Sequence, residues 1–152
     1  MKIEKITIRV YALIVENNKI LLSDEFWYDT PMTKFPGGGL EPGESIIECL
    51  YRELSEELNC KPIHIEHLLT CKDFIVSNFH IDTQVIPIYY IVKIPKETKI
   101  NTSKYRFDFL KLENGSIRHR WINIEDITED ELTFEGDKIA LRHFKTNNLT
   151  LL

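Results

Sequence analysis

Cysteine is scarce in this 152-residue chain, and the three present, Cys49, Cys60 and Cys71, are an odd number without CxxC spacing. That pattern argues against a disulfide framework and for reduced thiols in a reducing compartment. Cys60, His64, His67 and Cys71 resemble a zinc set at first sight. Strand alternation along KPIHIEHLLTCKDF puts His67 and Cys71 on one face and His64 on the other, so the four cannot meet at one ion without a break in the strand. Long apolar runs are missing too. None reaches membrane-spanning length, and MKIEKITIRV mixes charge with apolar residues and has no small-residue cleavage site, so a cytoplasmic protein without a membrane segment is expected. Positive charge is in deficit: 24 Asp and Glu face 19 Lys and Arg, for a net charge of −5. No basic stripe follows a phosphate backbone, which argues against long nucleic acid as a partner. A small anionic substrate stays open, provided something local and positive receives it. Glycine and proline number six each, with no linker, repeat or low-complexity tract. Residues 1–152 are therefore expected to form one domain.

What is present reads as strands around two helices. ITIRVYALIVENNKILLSDEF predicts two strands about Asn17-Asn18, and the apolar run YALIV marks a strand covered on both faces. A loop with Trp27, Tyr28 and Pro31 is expected next, then a short MTKF strand and a glycine turn. PIHIEHLLTCKDF and DTQVIPIYYIVKI are β-rich, and Pro87 points to an edge or a bulge in the second. Asn114-Gly115 predicts a hairpin between RFDFLKLE and SIRHRWINI. A helical turn in IEDITEDEL and a terminal helix in GDKIALRHFKT follow, with Asp137 as the expected N-cap. The sum is an α/β layered arrangement, a mixed sheet flanked by helices.

The first helix carries the chemistry. Ser45-Ile46-Ile47-Glu48 fits a capping box, which starts the helix near Ser45. Ile46, Ile47, Leu50, Leu54 and Leu58 form the apolar stripe, and Glu53, Glu56 and Glu57 occupy the adjoining arc. That arc is costly. Glu53 and Glu57 are like charges four apart, opposing the helix by roughly 0.2–0.5 kcal/mol. Negative charge at the C-terminal end adds about 0.3–1 kcal/mol per group. A solvated acidic face is the plainer reading of any one glutamate. Clustering, the wrong helix end and a buried neighbour together favour a divalent cation, since converging carboxylate oxygens suit magnesium or manganese. Gly37, Gly38 and Gly39 let backbone approach the helix flank, so that a carbonyl can join the carboxylates.

Gly38, five residues, Glu44, seven residues, Arg52-Glu53-Leu54, one residue, Glu56-Glu57, one residue and Asn59-Cys60 together resemble the signature box of the Nudix hydrolases. HRWINIEDI is similar to the Trp-containing strand and acidic turn that often follow it there. Asn59 stands where that box usually has glycine, a position suited to a left-handed residue ending the helix. The resemblance implies an α/β/α sandwich and hydrolysis of a diphosphate bond in a nucleoside diphosphate derivative, either a triphosphate or a nucleoside diphosphate linked to another group. It implies Mg2+ or Mn2+ held by Glu53, Glu56 and Glu57, with the Gly38 carbonyl a further ligand. Arg52 would pair with Glu44 to brace the loop. Glu57 would be both ligand and proton acceptor, with Glu97, Glu113 and His119 as weaker candidates for that base. A homodimer is common in such proteins. The extra signals of the ADP-ribose, dinucleoside polyphosphate and NADH subgroups are absent, so the substrate is not readable. Trp27, Tyr28, Phe74 and Phe79 are available to stack on a base. Two other readings are a non-catalytic ligand sensor on the same fold and an isoprenoid diphosphate isomerase.

Overall fold

The computed structural model describes residues 1–147, so the last five of the expected 1–152 unit lie outside the described residues. β1 (Lys5–Glu16) and β2 (Lys19–Trp27) join through Asn17-Asn18 as expected. Both asparagines are left-handed, with φ of 50° and 59°, and that twist matches the strands they connect. β1 is central. β7 (Thr83–Lys93) runs parallel along one side of it and β4 (Gly37–Gly39) antiparallel along the other side at Arg9, Val10 and Tyr11. Its successive side chains feed two cores: Tyr11 and Leu13 pack with Ala140, Leu141 and Phe144 of α2 (Glu135–Asn147), while Val10, Ala12 and Ile14 pack with Leu50 and Leu54 of α1 (Ile46–Leu58). This double duty is why YALIV lacks a polar face. Each fully buried leucine contributes about 1.5–3 kcal/mol relative to exposure. β5 (His64–Thr70) and β6 (Ile75–Val76) pair with β7, and β3 (Thr30–Lys34) and β8 (Ser116–Asn123) pair with β2. The result is the expected mixed sheet between two helices. Among the described residues no helix is long and apolar enough to cross a membrane.

α1 starts as its sequence requires. Ser45 Oγ accepts from the Glu48 N–H at 3.1 Å and Glu48 Oε2 accepts from the Ser45 N–H at 2.7 Å, the reciprocal capping box. Asn59 ends the helix in the left-handed region at φ 49°. Leu50, Leu54 and Leu58 are buried with Cys49, whereas Ile47 is only half-buried. All three cysteines are unpaired.

Five local expectations are corrected. Trp27 ends β2, and Tyr28-Asp29 form a second left-handed turn (φ 52° and 55°) rather than a longer loop. Pro31 sits in edge strand β3, where a missing N–H is tolerated. The glycines form β4, not merely a turn: a Cβ on Gly37 would lie 2.1 Å from the Val10 carbonyl oxygen, so only glycine lets the two backbones meet. Pro87 lies in central strand β7. Its carbonyl accepts from the Cys71 N–H just past the end of β5, and β6 pairs only from Val85 back, so its nitrogen faces a gap in the ladder. Asn114-Gly115 makes no hairpin, because RFDFLKLE is irregular; Asn114 instead accepts from the Asp29 N–H at 2.9 Å, and the following β8 pairs with β2. Asp137 is not a cap either. It lies in the first turn of α2, buried, and its Oδ1 accepts from the Tyr89 hydroxyl at 2.7 Å.

Candidate active site

With its leucines fixed on β1, α1 turns Glu53, Glu56 and Glu57 toward β4, and the three line one wall of a cavity of about 900 Å³. Gly38 is the closest point. A Cβ there would lie 2.3 Å from Glu53 Oε1, so the carboxylate occupies the space a side chain would fill. Arg52 organises this wall. It grips Glu44 through Nε and Nη2 at 3.0 and 2.8 Å, donates to the Gly39 carbonyl at 2.9 Å, and donates through Nη1 to Glu53 at 3.0 Å. Two longer contacts, 3.4 and 3.5 Å, reach Glu56. The Arg52 guanidinium holds the Glu44 carboxyl down to about 2.

The carboxylates differ sharply in setting. Glu56 is 60% exposed at its side chain, whereas Glu57 is 9% exposed and among the described residues its Oε2 has no hydrogen-bond partner. Burial raises the pKa of Glu57, against the opposing pull of Lys34, whose Nζ is 3.9 Å away. Lys34 is itself buried. It pairs with Glu25 at 2.8 Å and donates to the Gly37 carbonyl at 2.9 Å, and burial lowers its pKa. Arg52 and Lys34 thus pull the carboxylates in different directions. Among the described residues no three acidic, histidine or cysteine side chains stand together as a cage for an ion.

Beyond this wall the floor holds Glu25, His119 and Asp137. His119 is buried, its Nε2 without a partner among the described residues, and burial with the nearby Lys34 charge lowers it to about 4. Burial raises Asp137 to about 6, and among the described residues its Oδ2 has no partner. Near the mouth Tyr28 stacks on Phe79 at 4.7 Å, and Trp27 lines the same space. Phe74, Glu97 and Glu113 do not line it; Phe74 and both glutamates are exposed.

The NUDIX domain profile matches residues 5–144. The chain belongs to the NUDIX family. Two solved folds agree with the architecture over nearly all of both chains. A NUDIX hydrolase from Nitrosomonas europaea has a TM-score of 0.69 at 22% identity, covering 96% of this chain and 95% of that one. A MutT NUDIX hydrolase from Burkholderia pseudomallei has a TM-score of 0.68 at 20% identity, covering 92% and 98%. By sequence, this NUDIX chain is 31% identical over 114 residues to the mRNA-decapping protein D10 of Fowlpox virus, covering 74% of this chain and 48% of that one. It is 43% identical over 42 residues to an RNA pyrophosphohydrolase of Shewanella frigidimarina, covering 28% and 24%. The matched segments therefore span a quarter to a half of these relatives.

Sequence reasoning missed Arg9, Glu25 and Lys34 as cavity residues and misassigned Asp137. A signal existed for two of them. Arg9 shares strand parity with Tyr11 inside an apolar run, and Lys34 follows the buried Met32 at the same parity.

Proposed function

We propose that this NUDIX domain hydrolyses a diphosphate bond in a nucleoside diphosphate derivative with the help of Mg2+ or Mn2+. One observation carries the reading: the Gly38 backbone shares its space with the Glu53 carboxylate on the wall that also bears Glu56 and Glu57. The donor set suits a hard cation in type, being carboxylate oxygens plus a backbone carbonyl, and among the described residues the buried Glu57 Oε2 has no hydrogen-bond donor, a place such an ion would fill beside the Lys34 charge. Glu53, Glu56, Glu57 and the Gly38 carbonyl would hold it. A bound cation offsets the charge of this wall toward a diphosphate, polarises a phosphorus–oxygen bond and lowers the pKa of a water.

The chain supplies the rest. Arg52 fixes Glu53 and, through Glu44, the loop before the helix, so it and Glu44 act as positioning residues. Glu57, whose pKa burial raises, accepts the proton of the attacking water at a carboxylate oxygen. The Tyr28 and Phe79 rings offer a stacking surface for a base.

The relatives' names favour substrates at an RNA 5′ end as a second reading of the same chemistry, against which the net charge of −5 gives no basic track. Release of phosphate or pyrophosphate, with and without magnesium, should be measured across nucleoside triphosphates, nucleoside diphosphate conjugates, and triphosphorylated and capped RNA. Cation-dependent release from one class supports the proposal. Binding without release points to a sensor, and conversion of an isoprenoid diphosphate without release points to an isomerase.

A further inference from the structure

An anionic substrate approaching a chain of net charge −5 needs a local positive partner that is not already committed. Two basic side chains beside the cavity are spent within the protein. Lys34 is shared by Glu25 and the Gly37 carbonyl, and Arg52 is divided among Glu44, Glu53 and the Gly39 carbonyl. Lys99 stands on an exposed connection, and among the described residues no partner orients it.

Arg9 is different. Its backbone is held on both sides, opposite Gly39 of β4 and Pro87 of β7. Its Nε donates to the Tyr11 hydroxyl at 2.6 Å, and Tyr11 is buried and stacked on Tyr89 at 5.4 Å. The guanidinium is therefore aimed by a rigid group. Among the described residues its two Nη atoms have no acceptor, and the residue is partly buried where it lines the cavity. Gly39 leaves the approach open, since even a Cβ there would be 3.5 Å from Nη1. Tyr11 and, further off, the Glu53 charge both raise the Arg9 pKa, which places the group in the field of the acidic wall.

We propose that Arg9 receives a phosphate of the substrate, its Nη pair binding two non-bridging oxygens of the diphosphate beside Gly39. This rests on the hydrolase reading of the same cavity. A guanidinium whose Nε is occupied keeps the outer edge of its fork, which matches two oxygens on one phosphorus, and pinning by Tyr11 removes much of the ordering cost. A cation at the carboxylates and Arg9 on the other side would then share the charge of one diphosphate. The role of Arg9 is binding and orientation, with no proton transfer.

The test is calorimetric binding, with magnesium, of a methylene-bridged nucleoside diphosphate that cannot be cleaved, with the parent nucleoside as control. Arg9→Gln should weaken the diphosphonate by about 10-fold or more, the scale of a lost charge-assisted contact, and leave the nucleoside within about twofold. Arg9→Lys should fall between, keeping charge without the fork. In turnover, Arg9→Gln should raise KM by a larger factor than it lowers kcat. Equal diphosphonate affinity in wild type and Arg9→Gln overturns the proposal, as does an equal loss for the bare nucleoside, which marks a structural role. Should Arg9→Gln not fold, an unchanged affinity in Arg9→Lys overturns it instead. Wild type that binds through Arg9 but cleaves nothing sinks the hydrolase reading alone. Wild type that binds no diphosphonate sinks both.

Discussion

Gly38→Ala separates the site from the fold more cleanly than any charge removal. The added methyl would sit 2.3 Å from Glu53 Oε1 and 2.5 Å from its Cδ. Carbon and oxygen need about 3.4 Å or more, so the carboxylate must retreat by about 1 Å. The backbone at Gly38 is not in the left-handed region, so alanine brings no conformational strain there. What is lost is the 3.0 Å contact from Arg52 to Glu53, partly exposed and worth about 1 kcal/mol or less. For a chain of this size that lowers Tm by about 2–4 °C. A displacement of about 1 Å at a catalytic group, by contrast, can cost about 100-fold in rate. Calorimetry and kcat/KM on the best substrate of the nucleotide panel therefore make a paired assay. Near-normal Tm with a rate lowered by about two orders of magnitude is expected. A variant that keeps both Tm and wild-type rate refutes the placement of Glu53 in the chemistry. Gly37→Ala is the control, because its methyl would strike the Val10 carbonyl at 2.1 Å from a residue at φ 140°. It should lose about 3 kcal/mol or more of stability.

Glu56→Gln and Glu57→Gln should each lower turnover by about 100-fold or more with the fold intact, as circular dichroism would report; near-wild-type hydrolysis by both removes the trio from the mechanism. Stability against pH should expose opposed buried groups. Asp137, raised from 3.8 to about 6, contributes stability that is full below pH 3.8 and lost as pH rises toward 6, so Asp137→Asn should gain on wild type across that window. His119, lowered from 6.5 to about 4, contributes stability that is full above pH 6.5 and lost as pH falls toward 4, so His119→Gln should gain on wild type as pH falls. Each slope is at most about 1.4 kcal/mol per pH unit, and urea midpoints at pH 4, 5 and 6 would show slopes of the same sign if either assignment is wrong. Asn59→Gly should leave activity unchanged and stability within about 1 kcal/mol, whereas Asn59→Ala should lose about 1–2 kcal/mol at this left-handed position.

Local chemistry was legible wherever the chain decides its own conformation. Ser45 and Glu48 satisfy each other within one turn, Asn17-Asn18 form their hairpin, and the leucine spacing of α1 faces β1. Errors arose where distant partners decide. Asn114-Gly115 lost its hairpin because β8 found a longer ladder on β2, and the asparagine was taken up by Asp29. Pro87 entered a central strand because β5 and β6 leave a gap where its nitrogen points. Asp137 looked like a cap from its neighbours alone, yet Tyr89, 48 positions away, draws it inward. In the site, the Glu44–Arg52 pair followed from the box it resembles, while Arg9, Glu25 and Lys34 are assembled from separate strands whose register the sequence does not display.

Manganese titration followed by electron paramagnetic resonance, on wild type and on the Gln variants of Glu53, Glu56 and Glu57, tests the account where it is most exposed. One saturable site in the wild type, weakened about 10-fold or more by each substitution and tightened by a methylene-bridged nucleotide, is predicted. Equal manganese affinity in all four proteins, or none in any of them even with the nucleotide present, contradicts it.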